Sequence, residues 1–95
     1  MGDKVRVHVL LSGRVQGVAF RYYAEKWALS LGLTGWVKNL YDGRVEILAE
    51  GERENVEQFL ERVKTGPPMA HVDGADVEWQ GYTGEFSGFE IGAGW

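Results

Sequence analysis

Apolar residues recur in this chain with a period of two in some stretches and about 3.6 in others, and the order of those periods leaves few folds open. Val5, Val7, Val9 and Leu11 alternate with Lys4, Arg6 and His8, which predicts a strand over about Lys4–Ser12 with one buried face. After Gly13-Arg14-Val15-Gln16-Gly17 the period turns helical. Phe20, Ala24, Trp27 with Ala28, and Leu31 form one stripe, and Gly32 suits the C-terminal cap. Trp36–Leu40 and Arg44–Glu50 flank the turn signal Asp42-Gly43, so a hairpin follows in which Val45, Ile47 and Ala49 point inward. Val56, Phe59, Leu60 and Val63 then sit at i, i+3, i+4 and i+7, with Glu54, Glu57, Glu61 and Arg62 on the water side. Gly66-Pro67-Pro68 stops this second helix. A last long strand spans about Met69–Gln80. Its inward set slips from Ala70 and Val72 to Ala75, Val77 and Trp79 beside Gly74, which predicts a bulge. Phe89 and Ile91 mark a short final strand. The order β-α-β-β-α-β plus a short C-terminal strand predicts an α+β, ferredoxin-like sandwich, an antiparallel sheet with two helices on one face, in a single domain over residues 1–95.

Ninety-five residues suffice for such a core, since a fold of this size hides roughly 60–65% of the surface of its open chain. The chain has no cysteine, which removes disulfides, thiolate-bound zinc, iron–sulfur clusters and thiolate catalysis. A net charge of −4 argues against non-specific nucleic-acid binding. The charge is unevenly spread: residues 1–47 are net +3 and residues 48–95 net −7, so an anion site is favoured in the first half. No apolar run reaches the roughly 20 residues that span a bilayer. The opening MGDKVRVHVLLSG lacks the apolar region and cleavage site of a signal peptide, so a cytoplasmic protein without membrane contact is expected.

The stretch from Ser12 to Arg21 joins a buried strand to the start of a helix. Such a junction carries unpaired N–H groups and the positive end of the helix dipole, which together attract anions. Gly13 and Gly17 let the backbone curl and a ligand approach. No Ser, Thr, Asp or Asn stands between Gly17 and Phe20 to cap the helix. Arg21 falls in the first turn, where the dipole disfavours a cation by a few tenths of a kcal/mol up to about 1. A dianion lying between Arg21 and the uncapped amides accounts for both features. A plainer account also fits: water caps the helix, Arg21 pairs with Glu25, Arg14 is a solvated loop charge, and Gln16 caps a turn.

The longer string is more specific. GRVQGVAFR, with GWVKNLYDGRVEILAEG downstream, closely resembles the two signature motifs of the acylphosphatase family. The first is matched at Gly13, Val15, Gln16, Gly17, Val18, Phe20 and Arg21, the second at Gly35, Val37, Asn39, Gly43, Val45, Ile47 and Gly51. The likeness runs in register through Gly66-Pro67-Pro68 and covers nearly the whole chain. It implies a small ferredoxin-like enzyme that hydrolyses the mixed anhydride of a carboxylic acid and phosphate. It further implies that Arg14, Val15, Gln16, Gly17 and Val18, with the amides after them, cradle the phosphate. Arg21 would hold the phosphate charge and Asn39 would position the attacking water. The chemistry is consistent with so few groups. The leaving carboxylate has a conjugate acid of pKa near 4, so no general acid is required. Phosphoryl transfer through a loose transition state asks mainly for positioning and charge stabilisation. An amide such as Asn39 can orient water but cannot take its proton.

The acids are dispersed along the second helix and the last strand, so metal-independent activity without a cofactor is expected. The expected partner is a small-molecule acyl phosphate, and the expected state a monomer. A phosphohistidine route would need His8 or His71 beside the loop. His8 lies mid-strand on the face opposite Val7 and Val9 and reads as a surface or cross-strand residue, while no neighbour of His71 reads as its partner. His71 and Gly74-Ala75 stand where relatives often carry an arginine and larger residues. The ending Phe89-Glu90-Ile91-Gly92-Ala93-Gly94-Trp95 lacks the family's basic and aromatic close, leaving Trp95 to fold back near the site or to fray. Two other classes use this topology. An RNA-recognition domain needs stacked aromatics that Arg44-Val45-Glu46-Ile47-Leu48-Ala49-Glu50 lacks. A regulatory or maturation module would bind acyl or carbamoyl phosphate without efficient turnover; related domains occur at the front of larger carbamoyl-transferring proteins.

Overall fold

The structure, a computed structural model, describes residues 3–92. Trp95 therefore lies outside the described residues. Seven elements follow in the expected order: β1 (Lys4–Arg14), α1 (Phe20–Ser30), β2 (Thr34–Asn39), β3 (Val45–Glu52), α2 (Arg53–Thr65), β4 (His71–Gly81) and β5 (Phe89–Ile91). In space the strands run β4-β1-β3-β2-β5. The first four pair antiparallel, with β1 central between β3 and β4. The fifth lies parallel to β2, Gly35 opposite Phe89 and Val37 opposite Ile91, so the complete sheet is mixed. The direction of β5 follows from the path of the chain. Gly81 leaves β4 opposite Val5, at the end of the sheet where β2 begins, and residues 82–88 cross to enter beside Gly35.

The alternation read from β1 is the packing observed: Val5, Val7, Val9 and Leu11 are buried. Above them lie Phe20, Ala24 and Ala28 of α1 and Val56, Phe59, Leu60 and Val63 of α2. Burying each large side chain of the α2 stripe stabilises by about 1.5–3 kcal/mol. Helix α1 ends as its glycine predicted. Gly32 N–H donates to Leu29 O and Leu33 N–H to Ala28 O at 2.8 Å, the paired bonds of a Schellman motif.

Strand β4 carries the expected bulge. Ser12 faces Gly74 and Gly13 faces Val72, leaving Asp73 as the extra residue. Two members of its inward set need correction. Val72 and Val77 pack against the core, but Ala75 is exposed and Trp79 keeps 43% of its surface. Their phase is as read, since Trp79 lies opposite buried Val7 and Ala75 opposite buried Leu11. The difference is position: β4 is an edge strand, and the Arg53 guanidinium, 5.3 Å from the Trp79 ring centroid, supplies part of the cover a helix would give.

The end of the sheet away from the β1–α1 loop is closed by a carboxylate. Glu50 on β3 is fully buried and accepts hydrogen bonds from Thr83 N–H and hydroxyl and from Gly84 N–H, with Arg6 Nη1 at 3.5 Å. These bonds seat the start of the crossing that delivers β5.

Candidate active site

At the opposite end, β1 runs two residues past its expected limit, to Arg14. The β1–β3 register stops at Leu11 opposite Val45, whereas β1 and β4 remain paired through Gly13–Val72 and Arg14–His71. Gly13 is required by this pairing. Its φ is +114°, and a Cβ would fall on the His71 carbonyl oxygen. The glycine there accommodates a neighbouring strand, not a ligand.

Beyond Arg14 the chain is anchored by the Val15 side chain, which is buried in the core, and partly by Val18. Gly17 at φ +74° has open space where a Cβ would be, as the expected curl requires. Ala19, at φ 61° and ψ 26°, is the one non-glycine residue with positive φ among those described. That conformation costs an alanine roughly 1–2 kcal/mol and occurs where the surroundings impose it. It is the feature of the loop that sequence reasoning missed. An alanine gives no hint of a left-handed backbone.

Helix α1 has no side-chain cap, as the missing Ser, Thr, Asp or Asn foretold. Its first intrahelical bond is Tyr23 N–H to Ala19 O at 3.1 Å. From Gln16 to Tyr22, no backbone N–H donates to another described residue. A run of free donors at the positive end of a helix is a cradle for an anion.

Arg21 sits half-buried in this first turn and makes no hydrogen bond or ion pair with a described residue; the pair with Glu25 does not form. Its side of the helix can be deduced. The Tyr23 hydroxyl donates to Arg62 O on α2, and the Arg62 guanidinium lies 4.3 Å from the Trp27 ring centroid, so Tyr23 and Trp27 mark the α2 side. Two residues turn an α-helix by about 200°, which puts Arg21 on the other side, over β2 and β5. Asn39 is the last residue of β2, and its Oδ1 is buried with no hydrogen-bond partner among the described residues. A buried polar atom left in this way is an open acceptor that a water molecule can fill.

The Gln16 carboxamide turns away from the loop. Its Nε2 donates to Leu40 O at 2.7 Å and Arg44 O at 2.9 Å, across to the β2–β3 hairpin. The hairpin is stiffened by Asp42, whose carboxylate accepts from Arg44 Nε at 2.8 Å and from Arg44 N–H at 3.0 Å. The Arg44 side-chain bond holds the Asp42 carboxyl below the usual range. Arg14 is exposed and is the last residue of β1, paired with His71 of β4.

The two histidines lie elsewhere. His8 Nε2 is 2.7 Å from Glu46 Oε2 on the helix-free face of the sheet, a cross-strand contact as read, and Lys38 Nζ is 3.7 Å from the same carboxylate. His71 does have a partner, contrary to the reading above. Its Nε2 is 2.9 Å from Asp73 Oδ1, which the bulge brings round, and the pair is exposed. Among the described residues no three His, Asp or Glu side chains converge, and no helix is long and apolar enough to cross a membrane.

The acylphosphatase family model matches residues 7–91. The chain belongs to the acylphosphatase family. It is 53% identical over 89 residues to the acylphosphatase of Pelotomaculum thermopropionicum, covering 94% of this chain and 97% of that protein. To the acylphosphatase of Methylococcus capsulatus it is 55% identical over 86 residues, 90% of this chain and 94% of the relative. The crystal structure of acylphosphatase from Bacillus subtilis superposes with a TM-score of 0.89 at 41% identity, over 92% of this chain and 97% of that one. The same family had been suggested by the loop and hairpin motifs, and the ferredoxin-like fold is the one those motifs implied.

Proposed function

We propose that this chain is an acylphosphatase that cleaves acyl phosphates to carboxylate and inorganic phosphate by direct attack of water, without a metal or cofactor. The observation that carries the reading is the joint placement of three unsatisfied groups at one end of the sheet. They are the free N–H groups of Gln16–Tyr22, the half-buried Arg21 and the buried Oδ1 of Asn39, all without a hydrogen-bond or ion-pair partner among the described residues.

In this reading the main chain of Arg14, Val15, Gln16, Gly17 and Val18, with the first amides of α1, receives the phosphoryl oxygens. Arg21 balances their charge as it spreads in the transition state. Asn39 Oδ1 accepts one hydrogen of a water molecule and leaves an oxygen lone pair aimed at phosphorus. The water oxygen bonds to phosphorus while the bond from phosphorus to the acyl oxygen breaks, and that electron pair leaves with the carboxylate. The water proton passes to a phosphoryl oxygen. The carboxylate is a weak base and departs unprotonated, so the step requires no general acid.

The working unit we propose is one copy of the chain, a single domain acting in the cytoplasm. A fold that needs no disulfide suits a reducing compartment. The exposed edge of β4 carries Asp73, Asp76 and Glu78, like charges that oppose edge-to-edge pairing of two copies. Sedimentation at a single-chain mass is the expected result.

The test is a comparison of rates on benzoyl phosphate and on an aryl phosphomonoester, with and without EDTA. A clear preference for the acyl phosphate that survives EDTA is expected. Preference for the ester, or loss of turnover in EDTA restored by magnesium, would overturn the reading. Binding of benzoyl phosphate without turnover would favour the non-catalytic module.

A further inference from the structure

Cradle and water-orienting group lie on different parts of the chain, and the ladder that joins their strands stops short of both. Beyond Leu11–Val45 the β1–β3 pairing ends; β1 continues with β4, while β3 meets β2 through the turn at residues 40–44. Gln16 spans this gap. Its two acceptors are the carbonyls that close the turn. Leu40 O also accepts from Gly43 N–H at 3.2 Å, and Arg44 O from Leu40 N–H at 2.8 Å. Asn39 immediately precedes Leu40. Val15, buried in the core, anchors the backbone immediately before Gln16. The side chain thus ties the middle of the loop to the peptide next to Asn39.

We infer that Gln16 is a positioning residue: its carboxamide, by gripping Leu40 O and Arg44 O, sets the distance between the water oriented by Asn39 and the phosphoryl group held by the loop. The inference rests on the roles proposed above for Asn39 and the loop. Its force comes from the steep dependence of such reactions on geometry, where a misplacement of about 1 Å costs about 10²-fold in rate. Both carbonyls keep a backbone donor when the carboxamide is removed, so the hairpin has the means to stay closed while its distance from the loop relaxes.

Gln16→Leu keeps the bulk and removes the donors. Expected is a fall in kcat of about 10–10²-fold, with inhibition by inorganic phosphate changed by no more than about two- to threefold because the cradle is main chain. In an Asn39→Ala background the same substitution should change kcat by less than about twofold, since there is no longer a side chain to place. A purely structural role would instead slow both backgrounds equally. Multiplicative losses, or wild-type kcat in Gln16→Leu while Asn39→Ala is slow, would overturn the inference. Wild-type kcat in Asn39→Ala would overturn the reading beneath it. Should Gln16→Leu fail to fold, Gln16→Glu serves in its place. Ionised, it offers no donor to the two carbonyls; protonated, it offers one. Its activity relative to wild type should rise as pH falls through the carboxyl pKa, and a ratio independent of pH would count against the grip.

Discussion

Replacing Glu50 with glutamine changes one atom of a buried network and should unfold much of the protein's margin. Oε2 accepts from Thr83 N–H at 3.0 Å, from the Thr83 hydroxyl at 2.8 Å and from Arg6 at 3.5 Å, while Oε1 accepts from Gly84 N–H at 3.0 Å. A glutamine can keep its carbonyl toward Thr83, but its NH₂ then meets Gly84 N–H, donor against donor. A buried N–H left without an acceptor costs about 1–3 kcal/mol. Each Thr83 bond loses its ionic partner, a difference of about 1 kcal/mol apiece. The total, about 3–5 kcal/mol, matches what breaking a buried charged pair usually costs. At about 4–8 °C per kcal/mol for a domain of this length, the melting midpoint should drop by at least about 12 °C.

The pH dependence gives a second check. Burial is the largest single influence on Glu50 and pushes its carboxyl up, but the hydrogen bonds from Thr83 and Gly84, with the charge of Arg6, together hold it below the ordinary glutamate value. A group whose pKa is depressed by folding stabilises fully above its unfolded pKa, and that contribution fades as pH falls through the folded value. The gap between wild type and Glu50→Gln, measured by urea unfolding, should be widest near neutrality and shrink in acid. Turnover by the folded fraction should be preserved, since Glu50 is five residues along β3 from Val45, about 17 Å at strand spacing. A loss under 1 kcal/mol at neutral pH, or a gap unchanged by acid, would refute the reasoning.

Arg21→Gln should lower kcat/KM on benzoyl phosphate by about 10²–10³, the effect of removing one preorganised charge-stabilising donor. Steady-state kinetics beside an unchanged circular dichroism spectrum would check it. Ala19→Val puts a β-branched residue where φ is positive and should destabilise by about 1–2 kcal/mol beyond the strain alanine already bears. Inhibition by inorganic phosphate should weaken as the loop amides reorient; urea midpoints and inhibition constants at wild-type values would show that the left-handed turn shapes nothing.

The fold was legible because each element carries its own period. Val5 to Leu11, the α2 stripe and Asp42-Gly43 are local patterns, and each became the strand, helix or turn it encoded. Misjudgements arose where depth depends on neighbours distant in sequence. Trp79 has the phase of a core residue, yet no pattern along β4 says that β4 is an edge. His71 seemed alone because Asp73 reaches it only through the bulge. The site divides in the same way. Uncapped amides and a first-turn arginine can be read along the chain, whereas the pairing of Gln16 with carbonyls 24 and 28 positions away is tertiary, and glutamine beside glycine reads as an ordinary turn.

What joins these facts is the parting of two adjacent strands. While β1 and β3 remain paired, their backbone donors and acceptors satisfy one another and no ligand has purchase. After Leu11 and Val45 the two diverge, β1 staying with β4 and β3 turning into its hairpin. Every donor beyond that point must find a partner outside the ladder. The loop answers with main-chain N–H groups and the hairpin with the Asn39 oxygen, so the split presents donors on one wall and an acceptor on the other. In the proposed reaction between an anion and a water molecule, one wall of this gap would hold the phosphate and the other would turn the water. Its width is the quantity that matters, and the carboxamide of Gln16 is the group that spans it.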